Sequence, residues 1–578
     1  MRLPWVLIDN LEPALDGHGR FINPHRRYVE LLRVLADPSV KSVTLITSRE
    51  PLGEGIGGIT KYSLPSLNAQ AWEDFFSRRD IVIDAPTLQE IHKAYGGNAL
   101  AMNILCDPIQ REAGMVAYWQ EYKVAEGLSE LAVENLIKEQ FNRLEEIYPE
   151  AHRLLCRLGC YRYQDIPRVP TGGLLCLQWD VLEVERRRVI ESLRSCSLVE
   201  YDKGEYWLHP VILAEAISRL RKSEDWKIAN QTAAIFWTES VKTVETVEDA
   251  QRALEAYYHY FEIHEFEQAC MVILERRDSR WRTKVEGGEP LDASFYRLGL
   301  FQEIIIVSIE VTNKLSPGYS VTHLYEVIAI GYESLGDIKK AIEYAVKFKK
   351  LAQKYSFYEL EADAIKLIGR CQMYLGEIDK AVNDFEEAKV IYENQYLHRN
   401  TMISSCYLAF LKTLIDPKIN KSIVYKLIEE SCIGFLRTDL SIWRKGYGVL
   451  YVGLAYKNMR EFEKALEMYY KAIEYSKDSN FTQLKGMALY NLAEVYREQS
   501  KFETALSHHE ESIQLLEKIG AKCDLAEAYY QRGLTHQAMG NSSNSLADFQ
   551  EAIRLYEDME APKQVEKVRQ AMIPTSLP

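Results

Sequence analysis

The sequence repeats itself every 40 residues through its C-terminal half, and that beat restricts the fold more than any other feature. Tyr456, Phe462, Ala465 and Ala472 return as Tyr496, Phe502, Ala505 and Ser512. The same register returns again as His536, Ser545 and Ala552, with Gly533 and Phe549 beside them. Upstream, Leu335-Gly336 and Ala341 return as Leu375-Gly376 and Ala381, preceded by Gly331 and Gly369. Each unit holds two amphipathic runs separated by a short polar turn such as Gly336-Asp337 or Gly540-Asn541. Small residues stand where paired helices must approach closely, and large apolar ones where successive pairs meet. One such pair cannot bury its own apolar face, so the units must stack into an α-solenoid.

The pattern resembles the tetratricopeptide repeat, whose usual unit is about 34 residues. The helices here are expected to be longer by about one to two turns in total. Residues 405–445 depart from the pattern. Asp416-Pro417 breaks a helix there, because proline lacks the N–H and clashes with the preceding turn; the stretch reads as a degenerate helix pair. Ala253–Phe261 and Phe266–Leu274 read as earlier, irregular pairs. The loop Gly287-Gly288-Glu289-Pro290 divides them from the next helix. The stretch from Ala561 to Met572 reads as a polar-faced cap. A stacked array of this kind curves around a concave face that takes a peptide or protein segment. Most of the 36 tyrosines fall at interior positions. The rest are placed to line the groove, where aromatic side chains are favoured. The repeats offer no metal-binding or catalytic constellation.

The N-terminal third has a different texture. Residues 5–12 read as an apolar strand ending in Asp9, Asn10 and Glu12, and residues 43–49 as a second buried strand ending in Thr47-Ser48-Arg49. The glycines of Glu54-Gly55-Ile56-Gly57-Gly58 have the wrong spacing for a phosphate loop, and no Lys-Ser/Thr follows them. No Gly-x-x-x-x-Gly-Lys-[Ser/Thr] occurs anywhere in the chain. Lys61–Leu67 reads as a short strand and turn, and Asn68 as the N-cap of a helix over Ala69–Arg78. A helix stops at Gly96-Gly97 and another starts. Farther on, Leu193–Leu198 is a helix end. Val199–Asp202 and Tyr206–Leu208 then flank Lys203-Gly204-Glu205 as a hairpin, and His209-Pro210 follows.

This ordered set resembles the NB-ARC module of the STAND class of signalling ATPases, and the repeats resemble the sensors such proteins carry. The resemblance implies a partial nucleotide-binding α/β domain over 1–80 and a small helical domain over 81–132. A winged-helix-like domain over 133–224 follows, then a helical linker over 225–315 and the repeat superhelix over 316–578. The expected class is thus mainly α, with a truncated α/β NTPase remnant. The resemblance also implies roles. Asp9 would hold Mg²⁺. Asn10 stands at the second acidic position, where Glu12 is the only substitute base. Arg49 would read a γ-phosphate, and His209 would contact the β-phosphate of ADP. Ala99 takes the place of the family's proline in Gly96-Gly97-Asn98-Ala99-Leu100. On the residues alone, Asp9 serves equally as a loop cap, Arg49 as half of an ion pair, and His209 as a turn histidine. The strand and loop that cradle phosphate in the family precede the Asp9 strand and are not in this sequence. The expectation is a chain that by itself neither binds ATP tightly nor hydrolyses it, with no cofactor. ADP or ATP with Mg²⁺ would bind only if upstream sequence or another chain restored that half.

Bulk properties narrow the function. At 578 residues the chain accommodates several domains. No run of about 18 apolar residues suggests a membrane span, and Met-Arg-Leu-Pro-Trp lacks a signal-peptide core. Ten cysteines without a Cys-x-x-Cys pair fit buried thiols in a reducing cytoplasm. Cys156 and Cys160 read as core rather than ligands. A net charge of −14 disfavours nucleic acid, and Arg186-Arg187-Arg188 reads as a solvated helix face. The expected function is regulatory: partner binding through the repeats beside a degenerate nucleotide switch. The alternative is an active switch completed from elsewhere. A STAND-type transcription regulator is less favoured, since Ile573–Pro578 brings no helix-turn-helix. Oligomerisation on activation is implied by the resemblance alone.

Overall fold

Elements begin and end where local chemistry directs. The computed structural model describes residues 5–572 apart from 9–10, 12–13, 16–19, 23–24, 37–39, 41–42, 49–51, 53–58, 60–65, 113, 123–128, 281–287, 417–420 and 436–441. The chain divides into two units, Met1–Leu136 and Ile137–Pro578.

In the first unit β1 (Trp5–Ile8), α1 (Tyr28–Leu35) and β2 (Val43–Ile46) form a β-α-β crossover. The strands pair in parallel, with Trp5 opposite Val43 and Ile8 opposite Ile46. Parallel neighbours cannot be joined by a tight turn, and α1 spans the connection. Ile8 and Ile46 pack with Leu11, Phe21, Val29 and Leu32. Their register neighbours Leu7 and Leu45 point to the opposite face and are 65% and 52% exposed. The expectation of a buried second strand is therefore not met: β2 is half-buried on one face and exposed on the other, and the pairing stops at Ile8 and Ile46. The apolar runs suit a sheet covered on both sides, but among the described residues only one side is covered.

Next comes α2 (Ala69–Ser77), and the Asn68 side chain accepts from the Ala71 N–H at 2.9 Å. Asp84 caps α3 (Ala85–Ala94) in the same way, accepting from the Thr87 N–H at 3.1 Å. α3 ends at Gly96 and Gly97, which take positive φ values of 59° and 68°. A Cβ on Gly97 would sit 2.3 Å from the Leu67 carbonyl oxygen, so only glycine fits. Asn98 then caps α4 (Ala99–Ile104), which leads through α5 (Cys106–Arg111) and α6 (Met115–Tyr122) to α7 (Ser129–Ile147).

The second unit continues with α8 (Pro149–Arg157), β3 (Val169–Pro170), α9 (Thr171–Cys176) and α10 (Arg186–Ser195). β4 (Glu200–Asp202), β5 (Glu205–Trp207) and α11 (Pro210–Lys222) follow. The strands form an antiparallel sheet in the order β3-β5-β4, a winged-helix arrangement. The hairpin turn is shorter than expected. Lys203 and Gly204, at φ 48° and 89°, suffice, and Glu205 pairs with Asp202 as strand. Two central residues with positive φ match the strand twist. Arg187 and Arg188 are exposed at the start of α10, as a solvated face requires. Cys156 and Cys160 are buried, and burial pushes the Cys156 thiol up to about 12. They are packing groups, and among the described residues no cluster of His, Cys, Asp and Glu could hold a metal.

α12 (Asp225–Ser240), α13 (Val247–Glu262) and α14 (Phe266–Leu274) lead to β6 (Arg276–Arg277), β7 (Glu289–Pro290), α15 (Leu291–Leu298) and α16 (Phe301–Thr312). α13 extends past the expected Ala253–Phe261 because Thr246 and Asp249 form a capping box upstream.

The array follows as antiparallel pairs. These are α17 (Tyr319–Leu335) with α18 (Ile338–Lys354), α19 (Tyr358–Tyr374) with α20 (Ile378–Asn394), and α21 (His398–Ile415) with α22 (Lys421–Phe435). Then come α23 (Ile442–Asn458) with α24 (Phe462–Ser479), α25 (Thr482–Glu498) with α26 (Phe502–Ile519), and α27 (Lys522–Ala538) with α28 (Ser542–Asp558). α29 (Pro562–Met572) packs on α28. The irregular pair is helical as expected, and α21 ends at Ile415, directly before Asp416-Pro417. Within pairs, a glycine of the first helix faces an aromatic ring of the second. Gly369 meets Phe385, Gly453 meets Tyr469 and Gly533 meets Phe549, with an added Cβ only 3.2, 2.7 and 2.7 Å from the ring. Deleting a side chain on one helix makes the hole that the other helix's ring fills. Among the described residues no helix is long and apolar enough to cross a membrane.

Candidate functional site

The array closes on itself. An added Cβ on Gly336, at the end of α17, would lie 2.8 Å from Lys522 Cβ at the start of α27 and 3.3 Å from Met559 Sδ. Gly376 after α19 likewise abuts Lys563 of α29, and the Gln564 amide donates to the Tyr374 carbonyl at 3.1 Å. Exposed ion pairs Lys563–Glu377 (2.8 Å) and Lys339–Glu560 (3.2 Å) border the seam. The first helix of each pair therefore faces a shared axis. A cavity of about 500 Å³ lies there, lined from α19, α21, α23, α25, α27 and α29. A second cavity of about 220 Å³ shares Tyr374 and Tyr451 with it. Volumes of this order hold small ligands or a few side chains.

Tyrosines form much of the wall. Tyr407 stacks on Phe385 at 4.5 Å between centroids and against Tyr451 at 4.0 Å. Tyr490, Tyr530 and Tyr556 continue the surface around the larger cavity. These tyrosines line cavities that are partly open to solvent.

Polar pairs clip each inner helix to the next. Arg370 of α19 forks onto Glu333 of α17, its Nε 2.9 Å from Oε1. Lys457 of α23 reaches Glu494 of α25 at 3.0 Å, and Lys567 of α29 reaches Glu527 of α27 at 3.0 Å. Burial opposes ionisation of Glu527, but Lys567 and the hydrogen bonds from Gln531, Lys567 and Tyr556 outweigh it, and the carboxyl falls to about 2.

Asp524 breaks this pattern. It lines the larger cavity, is 1% exposed, and accepts one hydrogen bond, from the Gln483 amide at 2.8 Å. Among the described residues no cation pairs with it. Burial dominates and the charges of Glu333 and Glu527 add to it, pushing the Asp524 carboxyl up to about 7 despite Gln483 and Arg370. The same amide-to-carboxylate clip joins α21 to α19 with the two side chains exchanged, the acid now on the earlier helix, as Asn400 to Glu359 at 3.4 Å.

Of the residues expected to touch nucleotide, Asp9, Asn10, Glu12 and Arg49 lie outside the described residues. His209 is the N-cap of α11, and its Nδ1 accepts from the Val211 N–H at 3.4 Å. The structure thus assigns His209 a local capping contact.

The three-stranded sheet with its helices and the closing helical array give this chain a fold similar to that of a STAND protein with a tetratricopeptide repeat sensor. Residues 448–518 and 484–558 match the tetratricopeptide repeat family. A solved signal transduction ATPase with numerous domains, a STAND protein with a tetratricopeptide repeat sensor from Pyrococcus horikoshii, is similar at a TM-score of 0.61 and 16% identity, over 99% of this chain and 81% of that one. A Rap protein complexed with competence and sporulation factor is similar at a TM-score of 0.35 and 12% identity, over 56% and 97%. Aspartyl phosphate phosphatase F from Bacillus subtilis follows at 0.38 and 11%, over 75% and 95%. No curated protein matches this sequence.

Proposed function

We propose that this chain is a regulatory protein whose repeat array binds a peptide or protein segment in its axial cavity, beside a degenerate nucleotide-switch module. The carrying observation is the cavity of about 500 Å³ on which α19, α21, α23, α25, α27 and α29 converge. Tyrosine supplies large contact area at low entropic cost, which suits a binding wall more than a site of bond chemistry. The similar STAND protein carries its repeats as a sensor, and here the array would report its ligand to the N-terminal unit. It can bias that unit only by as much as the ligand prefers one arrangement over the other. Asp9, Glu12, Arg49 and His209 remain the residues that would meet ADP or ATP with Mg²⁺. No catalytic step is assigned to them.

Two measurements test this reading. Selection from a random peptide display library on the full chain should enrich sequences whose binding weakens at least about tenfold in Tyr490→Ala, the cost of a lost interface anchor. Failure to enrich, or indifference to Tyr490, overturns ligand binding in the cavity. Calorimetric titration with ADP and Mg²⁺ should show no saturable heat in the micromolar range, for wild type and His209→Ala alike. Micromolar binding lost in His209→Ala would instead establish an active switch.

A further inference from the structure

Every cation lining the larger cavity is already committed. Lys457 is held by Glu494, Lys567 by Glu527 and Lys563 by Glu377. In the adjoining cavity Arg370 is forked onto Glu333, Lys366 is paired with Asp363, and the third cation, Arg444, also acts on Asp363. Asp524 is thus a buried carboxylate with a single neutral partner, inside a space large enough for a ligand. Burying a carboxylate without an opposite charge is costly, and a well-placed, hydrogen-bonded cation offsets that cost. The surrounding wall suits one kind of cation. Tyr374, Tyr447, Tyr451 and Tyr490 all lie near enough for the Asp524 charge to add to burial in raising their hydroxyls. Aromatic faces attract alkylammonium groups, most strongly where water is excluded.

We propose that Asp524 and the tyrosines around it form the specificity site of the array, and that the ligand presents a primary ammonium there, from either its amino terminus or a lysine side chain. This rests on the peptide-binding reading above and adds the chemistry that selects among peptides. Gln483 holds the carboxylate toward the cavity while leaving its charge unneutralised. The reversed clip at Asn400–Glu359 shows that the helix contact alone does not require the acid on α27. The groups facing Asp524 are Glu333 on α17, Arg370 and Tyr374 on α19, Tyr447 and Tyr451 on α23, Gln483 and Tyr490 on α25, and Cys523 and Glu527 on α27. The acids among them add to the negative potential, and Arg370 is spent on Glu333.

The test uses the full chain and short randomised peptide pools, fluorescently labelled at the carboxyl end. The pools come in four forms: amino terminus free or acetylated, central residue lysine or norleucine. Pools with an ammonium should bind at least about tenfold tighter than the acetylated norleucine pool, the worth of one charged hydrogen bond. Which single-charge pool carries the gain identifies the source of the amine. Asp524→Asn, which keeps the shape and the Gln483 contact, should erase the preference. In the wild type, where folding of a variant is not at issue, a lysine-borne preference should grow at least about fivefold between about pH 6 and about pH 8. Asp524 loses its proton over that window while a lysine ammonium keeps its own. An amino terminus, which titrates at about 7.7–8.0, loses about half of its charge by about pH 8, so its preference should peak between about pH 7 and about pH 8. Equal binding of all four pools, or a preference that survives Asp524→Asn in a protein with unchanged melting, overturns the ammonium site and leaves the peptide-binding reading standing. Binding of no pool overturns both.

Discussion

Replacing Arg297 with leucine should destabilise the protein by about 3–5 kcal/mol, the cost of removing one partner from a buried ion pair. Arg297 is fully buried and Glu289 is 3% exposed. The guanidinium donates to Glu289 Oε2 at 3.2 Å and to the Val244 carbonyl at 2.5 Å, and Ser294 donates to the same carboxylate oxygen at 3.0 Å. This one side chain thereby joins the loop before α13, the short β6–β7 hairpin and α15. Leucine removes the positive charge and leaves the Glu289 carboxylate in an apolar surround. The double variant Arg297→Leu, Glu289→Leu should recover most of the loss, because a buried pair replaced on both sides by apolar groups is close to neutral. Thermal unfolding followed by circular dichroism distinguishes the outcomes. A double variant no more stable than Arg297→Leu would mean the cost lies in packing around α15, not in the abandoned charge.

Tyr469→Ala should cost about 3–5 kcal/mol, as for other large aromatic truncations in packed cores. Tyr469→Phe should instead be neutral or stabilising by about 1 kcal/mol. The ring is fully buried in the hole left by Gly453, and its hydroxyl has no hydrogen-bond partner among the described residues. The ring therefore supplies the packing, while the hydroxyl carries a desolvation cost with no return. Urea unfolding of both variants tests the split. Loss of stability in Tyr469→Phe comparable to that in Tyr469→Ala would show that the hydroxyl is satisfied in solution and that the ring is the lesser contributor.

The repeat helices were legible because their period is local. A small residue and an aromatic ring stand 16 residues apart in Gly369/Phe385, Gly453/Tyr469 and Gly533/Phe549. The turns at Gly336 and Gly376 carry φ values of 78° and 76° that glycine adopts freely. The Asn68, Asp84 and Asn98 caps were legible or recoverable for the same reason, each reaching only three residues or fewer along the chain. The hairpin was placed correctly and only its turn length misjudged, because Lys203 takes a left-handed conformation that its side chain does not advertise.

The candidate site was not legible in this way. Gln564 meets Tyr374 and Cys523 meets Glu333 across 190 residues of sequence each, and no periodicity reports a contact at that separation. In the sequence Asp524 is one more acid in the first turn of a helix, where negative charge is ordinarily welcome. Its isolation depends on what every neighbouring cation is doing, and Lys457, Lys563 and Lys567 are each engaged by a different helix. The sequence by itself determined that this chain must stack helix pairs, since a 40-residue amphipathic unit cannot bury its apolar face alone. Only the tertiary structure decided that the stack closes around an axis, because closure is set by small rotations accumulated from pair to pair. That same closure gathers the tyrosines around the axis and buries one carboxylate that has no partner of opposite charge among the described residues.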